Sequence, residues 1–461
     1  MSKYVSSSQE DPMVALCRMV VNTEYEDLPS NVVDYAKRSI LDTIGVIIGG
    51  SAMEGIPEIV AFVKDKGGKL SSLLPFYGVR LPASEAAFAI GPMARAMDLG
   101  DVHPIGGHNS EYTIPAMLAL ASKATGKEFI TAYVLGQEVL IRVALAYRAA
   151  GRGGLGYPIF GVVAAVGKLL GLKQEELENA EGIGSLMTQP DVGNLFRPAT
   201  LMVRVHHGFT CQDGVNACLL AQRGITGPRK EVLLAPNGFL GLARWETDPA
   251  SLTRGLGEEW QMMGTMMKRY TSRGPTQPAI EGIIGLMKEY NIKAEDIAKI
   301  DIDSSSADWI SLSVSKEIQF NPQTVPECQF SLPYIVATAA YDGDVFLDSF
   351  TPEARERHKV RDLMTRITIK HDPSLPDHGA IVNVTVNNGK KYSKECAYPK
   401  GHPKFPLTEQ ELVEKFKKCV PYSAYKLSDN VVNSLLETIL NLERVKNIEN
   451  SLLVPLTPTN A

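Results

Sequence analysis

Between Arg95 and Ser110 the chain reads Arg-Ala-Met-Asp-Leu-Gly-Asp-Val-His-Pro-Ile-Gly-Gly-His-Asn-Ser, which holds Asp98, Asp101, His103 and His108 within eleven residues. Imidazole titrates near neutral pH and a carboxylate can fix its tautomer, so His with Asp is the material of general acid–base catalysis. Gly100, Gly106 and Gly107 permit the tight turns of a loop at the mouth of a helical bundle. A solvated loop that closes the preceding helix is the competing reading. A metal site is a weaker one, because the spacing fixes no third ligand.

Two further clusters carry positive charge. Arg204-Val-His206-His207-Gly208 stands just before the helical stretch FTCQDGVNACLLAQRG. Arg and His ahead of a helix N-terminus make an anion cradle, since free backbone N–H groups and the helix dipole favour negative charge there. A capped helix with a surface histidine reads equally well. Lys268-Arg-Tyr-Thr-Ser-Arg273 lies in a stretch free of acidic residues from Gln261 through Gln277. Its cations suit a carboxylate-rich substrate held between domains, or a solvated basic linker.

The elements that must position these residues follow from periodicity. From Asn31 to about Lys268 apolar residues recur every three or four positions, with Gly and Pro breaks between helical segments. These segments are VVDYAKRSILDTIGVIIGG, SEAAFAIGPMARAMDL, TIPAMLALASKAT, EFITAYVLGQEVLIRVALAYRAA and VVAAVGKLLGL. Beyond Pro275 the helix AIEGIIGLMKEY is followed by strand-like AKIDIDS, TRITIKH and AIVNVTVNN, the last running into Asn388-Gly389 as a hairpin signal. Thr408 with Glu411 then forms a capping box, flanked by Leu407 and Leu412 as a hydrophobic staple, and helical periodicity resumes to about Arg444. The expected fold is mainly α with a smaller α+β domain. A large helical domain comprises residues 1–272 and 404–461, and an α+β lid domain is inserted at 273–403.

The 461 residues are 44% hydrophobic and 21% charged, which excludes a disordered or collagen-like chain. Lys and Arg total 47 against 52 Asp and Glu, a net charge of −5, and this balance speaks against a general nucleic-acid binder. Apolar runs such as Ile44 to Ile48 stop short of the roughly 20 residues that span a bilayer, so no transmembrane helix is expected. The polar start, with Glu10 and Asp11, does not read as a secretory signal. The six cysteines have no CxxC spacing and read as reduced thiols of a cytoplasmic protein, with Cys211 and Cys218 on one helix face as core residues. GxxxxGK[ST], GxGxxG after a strand, HExxH and GxSxG are all missing, which removes nucleotide, flavin, metalloprotease and serine-hydrolase readings.

The order of the clusters resembles the MmgE/PrpD family, which includes 2-methylcitrate dehydratase, cis-aconitate decarboxylase and iminodisuccinate epimerase. The likeness runs from Leu28 to about Phe416. It rests on LPSNVVDYAKRSILDTIGVIIGG, ARAMDLGD with His108, GVVAAVGKLLGLKQEELENAEGIG, HHGFTCQDGVNACLLAQRG, KRYTSR, FSLPYIVATAAYDGDV and VNVTVNNGKKYSKECAYPKGHPKFPLTEQELVEKF. The resemblance implies a homodimer, a helical domain with an α+β lid, no metal or organic cofactor, and a small di- or tricarboxylate as substrate. From charge and apolar run length, neither a nucleic-acid partner nor a membrane is expected.

Residue by residue, Asp98 and His108 fall on the family's loop Asp and His, Lys268 on the Lys of its KRY-type motif, and Tyr334 on its lid tyrosine. Tyr157, in GYPIFG, stands where dehydratases and the decarboxylase have a His before Pro. Arg204 replaces a lysine, Arg273 the decarboxylase's second active-site histidine, and Gln277 another histidine. Candidate catalytic residues are therefore Asp98, His108, Tyr157 and Lys268, with Asp98 expected to orient His108. Candidate substrate-binding residues are His103, Arg204, Arg273 and Tyr334. The leading expectation is a 2-methylcitrate dehydratase-like hydro-lyase. The alternatives are a dicarboxylate epimerase with Tyr157 as second base, then a cis-aconitate-type decarboxylase, then a non-catalytic carboxylate-binding homologue.

Overall fold

The computed structural model describes residues 11–105, 107–147, 156–188, 200–243, 246–307 and 314–458. The first part is helical, as its periodicity requires. Helix α1 (Pro12–Asn22) is capped by Asp11, whose carboxylate accepts the Met13 amide at 2.9 Å. Helix α2 (Ser30–Gly50) repeats Ile40, Leu41, Ile44, Ile47 and Ile48 on the buried side. Helices α3 (Ile56–Lys66), α4 (Ala83–Arg95), α5 (Ser110–Leu118), α6 (Gly126–Tyr147), α7 (Pro158–Leu169), α8 (Gln174–Ser185) and α9 (Met202–Ala221) follow. Small residues let them close up: a Cβ at Gly91 of α4 would stand 3.0 Å from the Gly208 backbone of α9, so these axes cross nearly in contact.

Helix α6 is longer than the apolar runs noted above. By length and composition it is apolar enough to cross a bilayer, yet most of its residues are buried inside the protein, so it is a core helix. The end of the segment expected there, 148–150, lies outside the described residues. Two readings change. A short hairpin, β1 (Ser72–Leu74) with β2 (Val79–Leu81), interrupts the helical part. Past Ala221 the described chain forms turns and short 3-10 segments rather than long helices until α10 (Gln277–Tyr290).

The second part is a four-stranded sheet in the order β4-β3-β5-β6: β3 (Ile297–Ser304), β4 (Ile367–His371), β5 (Ala380–Val386) and β6 (Lys391–Cys396). Strands β3 and β4 run parallel and the other pairs antiparallel, and the β5–β6 turn places Gly389 at φ 83°. Alternate residues of β3 and β5 face inward, among them Ile300, Ile302, Val382 and Val384. They share a core with Ile280 and Ile283 of α10, Ile335 and Val336 of α11 (Leu332–Asp342), and Leu363 of α12 (His358–Met364).

The chain then returns to the helical part. Thr408 Oγ1 accepts the Glu411 amide at 3.2 Å while the Glu411 carboxylate accepts the Thr408 amide at 2.7 Å, starting α13 (Glu409–Cys419). Leu407, Leu412 and Phe416, with Leu435 and Ile439 of α14 (Asp429–Leu440), belong to the same core as α2. The loop after α4 is held within the first part, where Val102 and Met266 exchange two backbone hydrogen bonds of 2.8 Å, and it meets the second part where Gln329 Nε2 donates to Met97 O at 3.1 Å.

Candidate active site

Helix α4 ends at Arg95, and three residues later Asp98 takes φ 50°, a left-handed conformation that Asp tolerates better than most side chains. This bend turns the Asp98 carboxylate back onto Arg95, whose Nη1 donates to Oδ1 at 2.6 Å. From the opposite side Lys268 Nζ donates to the same oxygen at 2.9 Å, to Asp98 O at 2.6 Å and to Ser272 O at 3.1 Å. Lys268 is held there by its own turn, in which Gln277 Oε1 accepts the Arg269 and Tyr270 amides at 3.1 Å. The Asp98 and Lys268 side chains are 2% and 0% exposed. Burial alone would push the Asp98 carboxyl up, but Arg95 and Lys268 hold it well below the ordinary carboxylate range. Burial pulls the Lys268 ammonium down from its usual value, with Asp98 and Glu111 opposing.

His108 pairs with a different acid from the one expected. Its Nδ1 lies 3.2 Å from Oε2 of Glu111, three residues on in the first turn of α5. Glu111 is fully buried, and its Oε2 also stands 3.8 Å from Arg95 Nε and 3.7 Å from His207 Nδ1. His108 precedes the N-cap Asn109, so it is the turn into α5 that brings the two side chains together. A Cβ at Gly100 would overlap the Glu111 carboxylate, so the glycine provides the space in which it sits. The His108 side chain retains 22% of its surface, in contrast to the closed Asp98, Lys268 and Glu111 around it. Burial lowers its pKa below the ordinary imidazole value; Glu111 pulls upward, and Arg95 and Lys268 pull down. Burial therefore favours the neutral ring, with a carboxylate beside it ready to stabilise the imidazolium.

Helix α9 supplies the rear wall. It begins at Met202, so Arg204, His206 and His207 lie inside its first turns rather than ahead of it. His207 stacks on Tyr112 at 3.9 Å with rings 10° apart, and its edge meets His108 at 5.8 Å. The Tyr112 hydroxyl stands 3.3 Å from Nε2 of His206, whose Nδ1 is 3.2 Å from Met202 O. Burial pushes His206 down to about 3, so it is neutral and serves as scaffold. Arg204 Nη1 donates to Glu54 O at 2.7 Å, while its buried Nη2 has no hydrogen-bond partner among the described residues. Arg273 lies over the Phe330 ring at 4.9 Å. Burial lowers Arg204 to about 10 and Arg273 to about 9, and both feel Arg95 and Asp98. Arg95, Lys268, Arg204 and Arg273 against Asp98 and Glu111 leave two positive charges in excess.

The structure thus brings Asp98, His108, Lys268, Arg204 and Arg273 into one electrostatic group. Tyr157, immediately before α7, is fully buried, with its ring 6.3 Å from that of Tyr147. Two expected members fall elsewhere. His103 scaffolds its own loop: its backbone exchanges two 2.8 Å hydrogen bonds with Gly107, its Nδ1 accepts the Ile105 amide at 3.3 Å, and its ring abuts Gly264. Tyr334 lies in the core of the second part, where its hydroxyl donates to Ser349 O at 2.6 Å beneath Arg361. Asp98 was expected to orient His108, but Arg95 and Lys268 both bond its Oδ1 while His108 Nδ1 sits on Glu111. Sequence reasoning passed over Glu111 and gave Arg95 and His207 no role of their own; the signals were the three-residue spacings Arg95/Asp98 and His108/Glu111.

Comparison with known proteins agrees with this architecture. Residues 14–248 match the MmgE/PrpD N-terminal domain and residues 270–438 the MmgE/PrpD C-terminal domain. A cis-aconitate decarboxylase-like protein of Aspergillus oryzae is 28% identical, with 97% of this chain and 95% of that protein covered. Human cis-aconitate decarboxylase is 25% identical over 90% of this chain and 88% of its own length. A 2-methylcitrate dehydratase-like protein of Aspergillus oryzae is 24% identical over 88% and 87%.

Proposed function

The chain belongs to the MmgE/PrpD family, and from that premise we propose that it is a lyase acting on a small di- or tricarboxylate by proton transfer next to a carboxylate, in the manner of a 2-methylcitrate dehydratase. The observation that carries this reading is His108, its Nδ1 3.2 Å from the buried Glu111 carboxylate, amid an excess of buried cations. Arg204 and Arg273 take substrate carboxylates, and Lys268, whose ammonium is held by Asp98 and Ser272, adds positive potential where enolate-like charge grows as the neighbouring C–H bond breaks. His108 removes that proton as imidazole, and Glu111 stabilises the imidazolium. The imidazolium then gives the proton to the departing hydroxyl, so water leaves and a C=C bond remains. One imidazole serving both transfers requires the hydrogen and hydroxyl to leave from the same face.

Decarboxylation is the second reading, favoured by the names of the relatives. It needs an acid to protonate the carbanion left by carbon dioxide, and a His108 kept neutral suits a base better. As part of the same proposal the protein works as a homodimer without metal or organic cofactor, in the reducing cytoplasm that suits its free thiols. Incubation with a panel of di- and tricarboxylates, followed by NMR, tests the reading: dehydration yields an alkene with all carbons retained, decarboxylation loses one, and epimerisation interchanges stereoisomers. The first outcome is expected.

Substrate binding gives an independent expectation. Arg273→Ala weakens carboxylate affinity by roughly 1.5–3 kcal/mol, the range of a charge-assisted hydrogen bond. Lys230→Ala, at an exposed position, leaves it unchanged. Calorimetric titration of both variants checks this, and equal effects would remove Arg273 from the site.

A further inference from the structure

One buried acid in the same loop has no part in this chemistry. Asp101 is fully buried, three residues beyond Asp98, and its carboxylate engages the start of α5. Its Oδ1 accepts the Ser110 amide at 3.1 Å and its Oδ2 bonds to Ser110 Oγ. Ser110 Oγ in turn lies 2.7 Å from the Tyr133 hydroxyl on α6. Ser110 opens α5 and Glu111 is the next residue. The N-cap residue Asn109 supplies no side-chain cap, since its amide donates to Thr265 Oγ1 at 3.2 Å. The first turn is therefore seated by a carboxyl nine residues upstream. On the other side, Gly100 gives room for the Glu111 carboxylate.

We propose that Asp101 is a positioning residue for the His108–Glu111 pair: by fixing the Ser110 backbone and hydroxyl it sets where α5 begins, and so holds the Glu111 carboxylate at Nδ1 of His108. The proposal rests on the proton-transfer reading above and deepens it. The charged and titratable groups around Asp101 are Asp42 and Tyr35 on α2, Glu111 on α5 and Tyr133 on α6. Lys415 on α13 pairs with Asp42 at 2.5 Å and donates to Leu99 O at 3.1 Å, anchoring the loop from below. Burial, with Asp42 and Glu111 adding, pushes Asp101 up to about 7. Both protonation states keep the contact. An ionised Oδ2 accepts from Ser110 Oγ and a protonated one donates to it, and an asparagine amide reproduces the second arrangement.

The test compares kcat and KM of Asp101→Ala, Asp101→Asn, Glu111→Gln and the double variant Asp101→Ala/Glu111→Gln on the acid that turns over, with a crystal structure of Asp101→Ala. Small displacements of a catalytic group cost up to about 100-fold, so Asp101→Ala should lower kcat by about 10- to 100-fold with KM nearly unchanged. Asp101→Asn should recover most of that loss. Because Asp101 acts through Glu111, the double variant should be no slower than Glu111→Gln alone, whereas a general structural defect would add to it. The crystal structure should show the Glu111 carboxylate withdrawn from His108. A folded Asp101→Ala with undiminished kcat, additive losses, an Asparagine variant as slow as the alanine, or an unmoved Glu111 would each overturn the proposal. Full activity in His108→Gln would instead sink the proton-transfer reading. A slow His108→Gln beside a fast Asp101→Ala would sink the positioning role alone.

Discussion

His108→Gln keeps the fold and the affinity for carboxylates but lowers kcat by about 10²- to 10⁴-fold, the usual worth of a positioned proton-transfer group. Glutamine can fill the space and hydrogen-bond toward Glu111, but it cannot carry a proton from carbon to a leaving hydroxyl. Asp98→Asn acts differently from what a His–Asp pair would give. Its carboxylate neutralises Arg95 and Lys268, and removing one partner of such a buried pair costs about 3–5 kcal/mol. That variant should therefore lose stability along with turnover. Because Asp98 is held below its unfolded value, its contribution is present above the ordinary carboxylate pKa and is lost as pH falls. The stability gap between wild type and Asp98→Asn should narrow toward acid pH in thermal melts. A gap that widens on acidification would mean that Asp98 is not ionised in the folded protein.

Truncation after residue 403 abolishes soluble folding. Leu407, Leu412, Phe416, Leu435, Ile439 and Leu452 are buried in the core they share with α2. Each such side chain is worth roughly 1.5–3 kcal/mol, against a net stability of roughly 5–15 kcal/mol for a whole protein. The truncation also removes Lys415, leaving the buried Asp42 without its ion-pair partner. Circular dichroism melts of the shortened chain are the check. A native-like cooperative transition would mean that the last helices are a tail laid on a domain complete without them.

Much of the fold was legible because burial is periodic. Helix α2 shows its inner stripe through Ile40, Ile44, Ile47 and Ile48, and β5 shows its inner face through Val382 and Val384. The acid–base partnership was harder to read. The helical pattern of TIPAMLALASKAT suggests a start at Thr113, but α5 begins at Ser110, because a carboxyl upstream supplies the missing cap. Glu111 then falls in the first turn, within reach of His108, whereas a reading that begins at Thr113 leaves it in no element at all. Asp98 looked like the orienting acid by type and proximity in sequence. Its left-handed backbone sends it to two cations instead. The burial of Tyr334 against Ser349 depends on contacts fifteen residues apart in the chain, which a motif alone does not register. Segment Arg204 to His207 was misplaced relative to its helix start because Leu201-Met202-Val203 carries no strong N-terminal signal.

The central claim is that a neutral His108, held by Glu111, is the base. The most direct measurement is the pH dependence of kcat/KM for the wild type and Glu111→Gln. In the wild type the acid limb should report a group titrating below the ordinary imidazole value, with activity rising as that group loses its proton. Glu111 raises the proton affinity of His108, so in Glu111→Gln the limb should move to still lower pH while the plateau drops. A limb that stays in place in Glu111→Gln, or a rate that rises as the group gains its proton, would contradict the account.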